Sequence, residues 1–442
     1  MLANSNSEPT TQNPPLTTSL SGTRRILLVD ADAFFVAVAR QEDPDGAGRA
    51  PLLIVGGRPG SRGVVCSASY ECRAFGVRSA MPIARALQLC PQAMCVPVPR
   101  HACGKRSKEI QAVLARFAPV VQASSIDEWY CDMGGTDALY GHEPLEATAH
   151  RIRNAVREAT GLSVSIGCGT TRLVAKMAVE LGKPKPGTNA NGVCAVTPGR
   201  EIEFLSQFRL ADLPMVGPKL SAKLQSIGLV TIAEAQAWSR EMLDARVGEH
   251  TGGALWRRVR GIDESIVSGR DAQKQVSRET TFGRDLHDDD VVERELLRLA
   301  VRVATDLRKQ ALVARTITVK LRDSDFRTRS AQRTLVHPIE SEQSVVRGAR
   351  TLLRALRKRR RVGVRLLGIA LSHFGDDTPL PVQMGLFPTA AIQPPPDEPV
   401  EGDRERALTR ALDRIRDRFG QTSIIPARLV DPSRNTGPNV EE

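Results

Sequence analysis

The sequence lacks the features that would mark a membrane, secreted or fibrous protein. No apolar run in its 442 residues approaches the roughly 18 residues that a membrane-spanning helix needs. The first 22 residues have neither the basic start nor the apolar core of a secretory signal. The hydrophobic fraction is 41% and the charged fraction is 25%, which excludes a wholly disordered or fibrous chain. We therefore expect a globular protein of roughly two to four domains.

Cysteine is present, but not in a pattern that forms disulfides or binds zinc. The eight cysteines lie between Cys66 and Cys194, with no CxxC pair and no regular spacing with histidine. Disulfide frameworks belong mostly to short secreted chains, and structural zinc sites need closer ligand pairs. We expect reduced cysteines that serve mainly in packing.

The balance of charge favours a polyanionic partner. The chain has 62 Lys and Arg against 50 Asp and Glu, a net charge of +12, and its isoelectric point is near 9.6. Nucleic acid and an acidic membrane surface would both fit this excess. Most of it lies in residues 277–376, where 22 Lys and Arg stand against 13 Asp and Glu and leave +9.

A predicted strand within this basic segment has one apolar and one basic face. Ile317, Val319 and Leu321 alternate with polar residues that include Lys320 and Arg322. Period two with apolar residues on one side indicates a half-buried strand. Charge runs are usually only well-solvated surface, but a basic sheet face beside an apolar one fits a phosphate-binding surface better. The pattern therefore favours a nucleic-acid partner.

Alternating strand and helix patterns predict an α+β fold. The expected order between residues 105 and 182 is helix, hairpin, helix, strand, helix. Together with an opening strand at 26–29, this order predicts an antiparallel sheet with helices on one face, of the split βαβ kind. A second α+β unit is expected over 277–376, after short helices at 200–262.

Two acidic clusters carry the first chemical signal. Asp30 and Asp32 share one face at the end of the opening strand, because side chains alternate along a strand. Alone, such a pair is weak evidence, since surface turns and caps produce it often. Asp127 and Glu128 are adjacent acids in an otherwise apolar hairpin, where they would be costly without a cation or hydrogen bonds. Carboxylates on two strands suit Mg²⁺, and two such ions can promote an in-line displacement at phosphate.

A phosphate-binding group is expected near these carboxylates. Tyr70 and Arg73 are three residues apart, on one face of a predicted helix. The donor fork of arginine suits phosphate oxygens, and Lys183, which follows a helix, would supply a point charge. Each of these residues alone is as readily an ordinary surface residue. Phe34 and Phe35 are most simply core residues, although one of them could lie against the sugar of a nucleotide.

Two later segments predict contacts away from this chemistry. Residues 213–217 begin a predicted helix in a way that is close to a helix-hairpin-helix, whose turn can present backbone N–H groups to a DNA phosphate. A plain helical turn is the alternative. Seven prolines between residues 379 and 399 indicate a stiff linker around an apolar island at 383–387. A short amphipathic helix follows, with an apolar stripe at Leu408, Leu412, Ile415 and Phe419.

Taken together, these motifs resemble those of the Y-family of translesion DNA polymerases, and most of all its bacterial DNA polymerase IV branch. The resemblance runs from about residue 24 to residue 372, more than three quarters of the chain, with the motifs in family order. The second motif and the Ser-Ile-Asp-Glu motif are the most specific. The matching segments are 29–35 (VDADAFF), 69–82 (SYECRAFGVRSAMP), 125–128 (SIDE), 175–178 (AKMA) and 183–184 (KP).

The resemblance implies a multidomain α+β, right-hand polymerase with a ferredoxin-like palm. The helical thumb would contain the helix-hairpin-helix, and the little finger would be an α+β domain. The implied boundaries are a disordered leader 1–23, palm 24–33 and 100–190, fingers 34–99, thumb 191–262, linker 263–276, little finger 277–376 and tail 377–442.

The resemblance also implies roles for individual residues. Two Mg²⁺ ions would be held by Asp30, Asp127, Glu128 and the carbonyl of Ala31, with Asp32 in support. The incoming nucleotide would contact Phe34, Phe35, Tyr70, Arg73 and Lys183, with Phe35 as the steric gate against ribonucleotides. Small residues over the nascent base pair, which imply low fidelity, would be Val65, Ser67, Ala68 and Ser69. DNA would contact Gly217, Lys219, Lys320, Arg322 and Arg365, and the sliding clamp would bind Gln383, Leu386 and Phe387.

The leading hypothesis is low-fidelity, DNA-templated DNA synthesis in translesion repair. The expected partners are primer-template DNA, deoxynucleoside triphosphates and the bacterial sliding clamp. The protein is expected to act as a monomer in the bacterial cytoplasm, at the nucleoid when engaged, without a membrane. The alternative is a catalytically silent relative that scaffolds repair proteins on the clamp, but such relatives would be expected to lose the acids or phosphate ligands. Met215 departs from the family pattern, because it replaces the first glycine of the thumb hairpin.

Overall fold

The computed structural model describes residues 24–184, 189–269, 273–375, 400–420 and 423–429. The chain divides into two units, Met1–Asp271 and Ala272–Glu442. The predicted leader and the predicted clamp peptide at 383–387 lie outside the described residues. No helix in the described segments is long and apolar enough to cross a membrane.

The first unit combines a five-stranded sheet, a three-stranded sheet and a set of short helices. Its strands are β1 (Ile26–Ala31), β2 (Leu53–Gly56), β3 (Val65–Ala68), β4 (Met94–Val96), β5 (Val120–Ala123), β6 (Glu128–Asp132), β7 (Val164–Gly169) and β8 (Val193–Ala195). Its helices are α1 (Phe34–Glu42), α2 (Tyr70–Ala74), α3 (Ile83–Leu89), α4 (Arg100–Leu114), α5 (Leu145–Thr160), α6 (Arg172–Gly182), α7 (Glu201–Ser206), α8 (Pro218–Ser226), α9 (Ile232–Gln236), α10 (Arg240–Val247) and α11 (Glu249–Arg258).

The five-stranded sheet has the order β5-β6-β1-β7-β8, so the first strand of the chain lies at its centre. β1 pairs antiparallel with both β6 and β7, whereas β8 pairs parallel with β7. The predicted α+β arrangement is confirmed. The prediction of a wholly antiparallel sheet is wrong, because the short edge strand β8 returns in the same direction as its neighbour.

Helices cover both faces of this sheet, which corrects the prediction of helices on one face. Leu27 and Val29 pack into the core that contains the buried residues of α4 and α5. Leu28 points the other way and packs against Ala175 and Val179 of α6. An uninterrupted apolar run, such as the one that forms β1, is typical of a strand buried on both faces.

The three-stranded sheet, in the order β3-β2-β4, holds the start of α2. The Ser69 hydroxyl accepts a hydrogen bond from the backbone N–H of Cys72 at 3.3 Å and caps the helix. The same hydroxyl donates to the Pro51 carbonyl at 2.9 Å. These bonds tie the helix that carries Tyr70 and Arg73 to the chain just before β2.

The turn before α8 keeps the conformation expected of a glycine hairpin. Met215 has a φ of 75° and is 81% exposed. This left-handed region favours glycine and costs other residues about 1–2 kcal/mol. The substitution therefore leaves the turn in place and adds an exposed apolar side chain to it.

The second unit is a four-stranded antiparallel sheet with two long helices on one face. Ile317, Val319 and Leu321 are fully buried in the core, whereas Lys320 and Arg322 remain partly exposed. The predicted half-buried strand with one basic face is confirmed. The elements of this unit are β9 (Gln275–Leu286), α12 (Asp289–Lys309), β10 (Ala314–Asp323), β11 (Thr328–Ile339), α13 (Glu342–Arg359), β12 (Val364–Phe374) and α14 (Asp403–Phe419).

The tail helix α14 packs against the second unit through ion pairs. Arg416 is buried and pairs with Glu342 of α13. Asp413 accepts two hydrogen bonds from Arg308 of α12, at 2.6 and 2.8 Å. The apolar stripe of the helix is not fully covered, since Phe419 is 65% exposed. The helix therefore packs on its own chain, and charged residues lie at the contact.

All eight cysteines are free thiols. Five of them are buried, and burial raises the pKa of the Cys131 thiol to about 12. Buried thiols with a raised pKa are poorly reactive. Burial of five cysteines and partial burial of Cys95 and Cys194 agree with the predicted packing role, whereas Cys66 is exposed.

Candidate active site

Asp30 and Glu128 lie side by side on adjacent strands, at the carboxyl end of β1. They are register partners in the antiparallel pairing of β1 with β6. Asp127 comes directly before β6, and its carbonyl oxygen accepts a hydrogen bond from the N–H of Ala31 at 2.9 Å. The fold therefore brings together two acidic clusters that lie in distant parts of the sequence.

Two lysines bind these acids: Lys176 lies within α6, and Lys183 directly follows it. Lys183 Nζ lies 3.1 Å from Asp30 Oδ2, and Lys176 Nζ lies 2.6 Å from Glu128 Oε2. The lysines are spaced close to two helical turns apart, so both project from one side of the helix. Glu180, between them, binds Lys183 at 2.6 Å. The helix thus presents a row of charges to the end of β1.

The carboxyl group of Asp30 is in surroundings that disfavour its charge. Burial raises its pKa to about 6, Glu180 and Glu128 add to the rise, and Lys183 opposes it. A cation close to a carboxylate stabilises the ionised form by Coulomb attraction. A cation bound at this position would therefore stabilise the ionised form of Asp30.

Asp32 is held by hydroxyl groups. Its carboxylate accepts hydrogen bonds from the Ser163 and Ser165 hydroxyls at 2.8 and 2.7 Å. Its backbone N–H donates to the Ser163 carbonyl at 3.0 Å. These bonds give Asp32 a fixed orientation, which suits the supporting role expected for it.

The predicted phosphate ligands lie within electrostatic reach of the acids. The Arg73 guanidinium stacks on the Tyr70 ring at 4.9 Å, and its Nε donates to the Ala68 carbonyl at 2.9 Å. Burial raises the pKa of the Tyr70 phenol, Asp32 raises it further, and Arg73 and Lys183 oppose the rise. The phenol is therefore within electrostatic range of Asp32, which follows β1, and of Lys183, which follows α6.

Of the two aromatic residues predicted to contact a nucleotide, only one has an exposed surface. Phe34 is 2% exposed and belongs to the core under the five-stranded sheet, whereas Phe35 is half-buried. The two rings meet edge to face, with centroids 5.5 Å apart. The structure therefore places Phe34 in the core, and Phe35 is the one of the two rings with exposed surface.

The small residues predicted to lie over a base pair are buried in their own sheet. All four are at most 5% exposed: Val65, Ser67, Ala68 and Ser69. Because side chains alternate along a strand, the open side of this segment carries Val64, which is 44% exposed, and Cys66. The exposed side chains of this segment are therefore those of Val64 and Cys66, which lie next to the predicted residues.

Carboxylates are a ligand type that binds divalent metals, but the side chains of these acids are not arranged around one common site. Within the described residues, no three His, Cys, Asp or Glu side chains are arranged to hold one metal ion. Asp30 and Glu128 bind lysines, and Asp127 accepts a hydrogen bond from the Ser125 hydroxyl. Adjacent hard oxygen ligands are what Mg²⁺ requires. Metal binding therefore requires that the acids exchange their present partners.

Comparison with known proteins identifies the family. The impB/mucB/samB family matches residues 29–180, its C-terminal domain matches 273–386, and the DNA polymerase-iota thumb domain matches 211–263. DNA polymerase IV of Desulfatibacillum aliphaticivorans is 36% identical over 409 residues, which cover 92% of this chain and 96% of the relative. DNA polymerase IV of Caulobacter vibrioides is 34% identical over 411 residues, which cover 92% and 95%. The chain belongs to the Y-family of DNA polymerases.

Solved Y-family structures share the fold of this polymerase. A Y-family DNA polymerase chimera of Dbh and Dpo4 matches with a TM-score of 0.71 and 25% identity, and covers 79% of this chain and 99% of that one. An insertion ternary complex of Dbh DNA polymerase matches with a TM-score of 0.55 and 25% identity, over 79% and 99% of the two chains. The predicted right-hand polymerase fold is confirmed.

The thumb residues predicted to contact DNA lie at the start of α8 in this Y-family polymerase. Gly217 is the N-cap residue, and no side chain caps the helix there. Lys219 is exposed in the first turn. Free N–H groups at a helix N-terminus, with a lysine beside them, suit a phosphate. An exposed lysine therefore lies beside a helix N-terminus that no side chain caps.

The predicted little-finger contacts lie on the two inner strands of its sheet, β10 and β12. Arg322 Nε donates to the Thr328 hydroxyl at 3.0 Å, on the neighbouring strand. Arg365 stacks on Phe326, which is 63% exposed, at 4.4 Å. Lys320 lies on the same face as Arg322. These cations are held in defined positions on the surface.

Sequence reasoning missed the residues that hold the acids of this Y-family site. Lys176 binds Glu128, and the motif at 175–178 pointed to this lysine without giving it a role. Ser163 and Ser165 bind Asp32 across more than 130 residues of chain. No spacing signal in the sequence could have joined serines to an acid in so distant a segment.

Proposed function

We propose that this Y-family polymerase performs low-fidelity, DNA-templated DNA synthesis during translesion repair. In the reaction, the primer 3′ oxygen forms a bond to the α-phosphorus of a deoxynucleoside triphosphate. The bond to pyrophosphate breaks, and the hydroxyl proton is lost. The observation that carries the proposal is the register pairing of Asp30 with Glu128, with Asp127 beside them.

We propose that two Mg²⁺ ions are held by Asp30, Asp127, Glu128 and the Ala31 carbonyl. When bound, they would lower the pKa of the primer hydroxyl and stabilise the leaving pyrophosphate. The contribution of the chain is an exchange of the ion-pair partners of Asp30 and Lys183. Lys183 now lies 3.1 Å from Asp30 and would move to a triphosphate oxygen once a metal ion binds the acid. Metal and nucleotide binding would therefore support each other.

The triphosphate is proposed to bind between the two sheets of the first unit. The Arg73 guanidinium would form paired hydrogen bonds with phosphate oxygens. Tyr70 would donate its phenolic O–H, since burial raises its pKa and keeps it protonated. Phe35, at the start of α1, would leave no space for a 2′-hydroxyl.

The proposed low fidelity follows from the residues that remain exposed on β3 and just before it. Val64 and Cys66 are small, so few atoms would contact the nascent base pair. A change of methylene size in a pocket changes discrimination by only about 1–3 kcal/mol. A surface with so few contacts would discriminate weakly and would accept bulky template bases.

Alkylation of Cys66 is expected to block nucleotide insertion. Its thiol is exposed, whereas Cys95 and Cys194 are half-buried and burial raises the pKa of both. We expect N-ethylmaleimide to reduce single-nucleotide insertion by the wild type at least about tenfold, because the adduct would fill the base-pair space. Prior binding of primer-template and nucleotide should protect Cys66 from the reagent.

The matched control is Cys66→Ser, which removes the thiol with little change in size. This variant should insert nucleotides normally and should resist the reagent. Full activity of wild-type enzyme that mass spectrometry shows to be modified at Cys66 would exclude this residue from the base-pair surface.

The remaining domains are proposed to hold the DNA without reading its sequence. Helices α7–α11 form the proposed thumb, and the sheet of the second unit belongs to the proposed little finger. Gly217 and Lys219 would bind a backbone phosphate in the thumb, and Lys320, Arg322 and Arg365 would bind phosphates in the little finger. Phosphate contacts position a protein on a duplex but carry no sequence information.

The polymerase is proposed to bind the bacterial sliding clamp through residues 383–387, as a monomer in the bacterial cytoplasm. These residues lie outside the described part of the chain. Replacing Leu386 and Phe387 by alanine is expected to reduce clamp-stimulated synthesis at least about tenfold, because tethering to the clamp raises the local enzyme concentration. Basal extension without the clamp should not change.

The control for this prediction is Met384→Ala, which removes a neighbouring apolar side chain of the same peptide. It should retain clamp stimulation. Stimulation that survives the double replacement would mean that the clamp contact lies elsewhere in the chain.

Primer extension on undamaged and lesion-bearing templates, with each nucleotide offered separately, tests the activity itself. We expect Mg²⁺-dependent extension on both templates, with frequent misinsertion. A folded protein that binds DNA and the clamp but extends no primer would support the scaffold alternative. No observation on this chain favours that alternative, since the acids and phosphate ligands are all present.

A further inference from the structure

The exposed face of the second sheet carries one acid that is bound to one of the predicted DNA contacts. Lys320 of β10, Gly368 of β12 and Glu279 of β9 are register partners across three adjacent strands. Lys320 Nζ lies 2.9 Å from Glu279 Oε2. The ion pair therefore joins the two outer strands of this triplet and passes over the middle one.

The glycine in the middle strand makes this contact possible. A Cβ atom at Gly368 would lie 3.0 Å from the Cβ of Glu279 and 3.6 Å from its Oε2. Adjacent strands are about 4.8 Å apart, so a pair that spans two strand spacings needs both side chains to lie along the sheet surface. Any larger residue at Gly368 would occupy the space through which the two side chains meet.

This ion pair contributes little to the stability of the fold. The Lys320 and Glu279 side chains are 38% and 53% exposed. Exposed ion pairs contribute little to folding because water screens the charges and two flexible side chains must be ordered. The pair is therefore easily broken by a competing anion at the same surface.

We infer that Glu279 limits the affinity of this polymerase for DNA by competing with the DNA backbone for Lys320. The inference rests on the proposed function, in which this sheet face binds DNA phosphates. A phosphate that reaches Lys320 must displace the Glu279 carboxylate, which then stays beside the polyanion. The consequence is faster release of the primer-template and fewer nucleotides added in each binding event.

Replacing Glu279 by glutamine tests this inference, because the change removes the charge and keeps the shape. We expect E279Q to bind a primer-template duplex about fivefold more tightly than the wild type, by fluorescence anisotropy in about 100 mM salt without nucleotide. Products made in a single binding event, with a DNA trap present, should be longer. Thermal unfolding should change little.

Two further variants show whether Glu279 acts through Lys320. K320Q should weaken DNA binding about threefold or more and should reduce the slope of log affinity against log salt by about one. In the K320Q background, the Glu279→Gln change should have little effect. An equal gain in both backgrounds would mean simple repulsion of DNA by Glu279 and would overturn the inference, as would weaker binding by E279Q alone.

Glu295→Gln is the matched control for net charge. Glu295 forms a partly exposed ion pair with Arg298 on α12, in the same unit. DNA affinity should not change in this variant, and a gain equal to that of E279Q would overturn the inference. If K320Q binds DNA as tightly as the wild type, the sheet face does not bind phosphate there, and this part of the proposed function fails instead.

Discussion

Primer extension should be lost when Asp127 and Glu128 are both replaced by alanine. We expect a decrease of at least about 1,000-fold in the rate of nucleotide addition, because residues that act as one catalytic unit have large effects on removal. Glu128 is the register partner of Asp30, so its loss also removes half of the acidic pair. The measurement is single-turnover extension of a labelled primer with Mg²⁺.

Two controls separate chemistry from folding in this experiment. Asp132→Ala removes an acid from the opposite end of β6, and it should extend primers at nearly the normal rate. Asp127→Asn with Glu128→Gln keeps the side-chain shapes and should be as inactive as the alanine pair. Normal extension by either double variant, at equal DNA binding and thermal stability, would remove these acids from the proposed metal site.

Phe35→Ala should admit ribonucleotides. The Phe35 ring is half-buried at the start of α1, three residues after Asp32. Removing it would open space for a 2′-hydroxyl, so we expect discrimination against ribonucleotides to fall on the order of 100-fold. The measurement is the ratio of kcat/KM for a deoxynucleotide and its ribonucleotide opposite the same template base.

Phe34→Leu is the control for the loss of an aromatic ring at this point. Phe34 is 2% exposed in the core, so the variant should lose about 1 kcal/mol of stability and keep the sugar ratio of the wild type. A Phe35→Ala enzyme with unchanged sugar selection would assign the gate to another residue. A shift in selection for Phe34→Leu would show that packing behind the ring contributes to it.

Much of the local structure could be predicted because it depends on neighbours in the sequence. The strand at β10 follows from strict alternation, and its buried side is the predicted one. The tail helix follows from its apolar stripe, yet the stripe did not predict how the helix packs. Arg416 and Asp413 decide that contact, since their partners Glu342 and Arg308 lie on other helices.

The predictions that differ from the structure concern which face of a strand is buried and which elements pack against it. The sequence of an uninterrupted apolar strand does not show which of its faces is buried. Only the packing of α6 shows that both faces of β1 are covered by helices. The small residues of β3 have the predicted sizes, but alternation within a sheet turns Val65 inward and leaves Cys66 exposed. Such a shift of one residue is invisible until the partner strand is known.

The sequence by itself determined the chemical types: the acids, the phosphate ligands, the basic segment and the order of motifs that shows the family. These depend on which residues are present and how they are spaced. Only the tertiary structure decided which charges meet, because Lys176 with Glu128 and Lys320 with Glu279 are joined by strand order and helix packing. Contacts between distant segments are set by the packing of the whole unit, and so no local pattern encodes them.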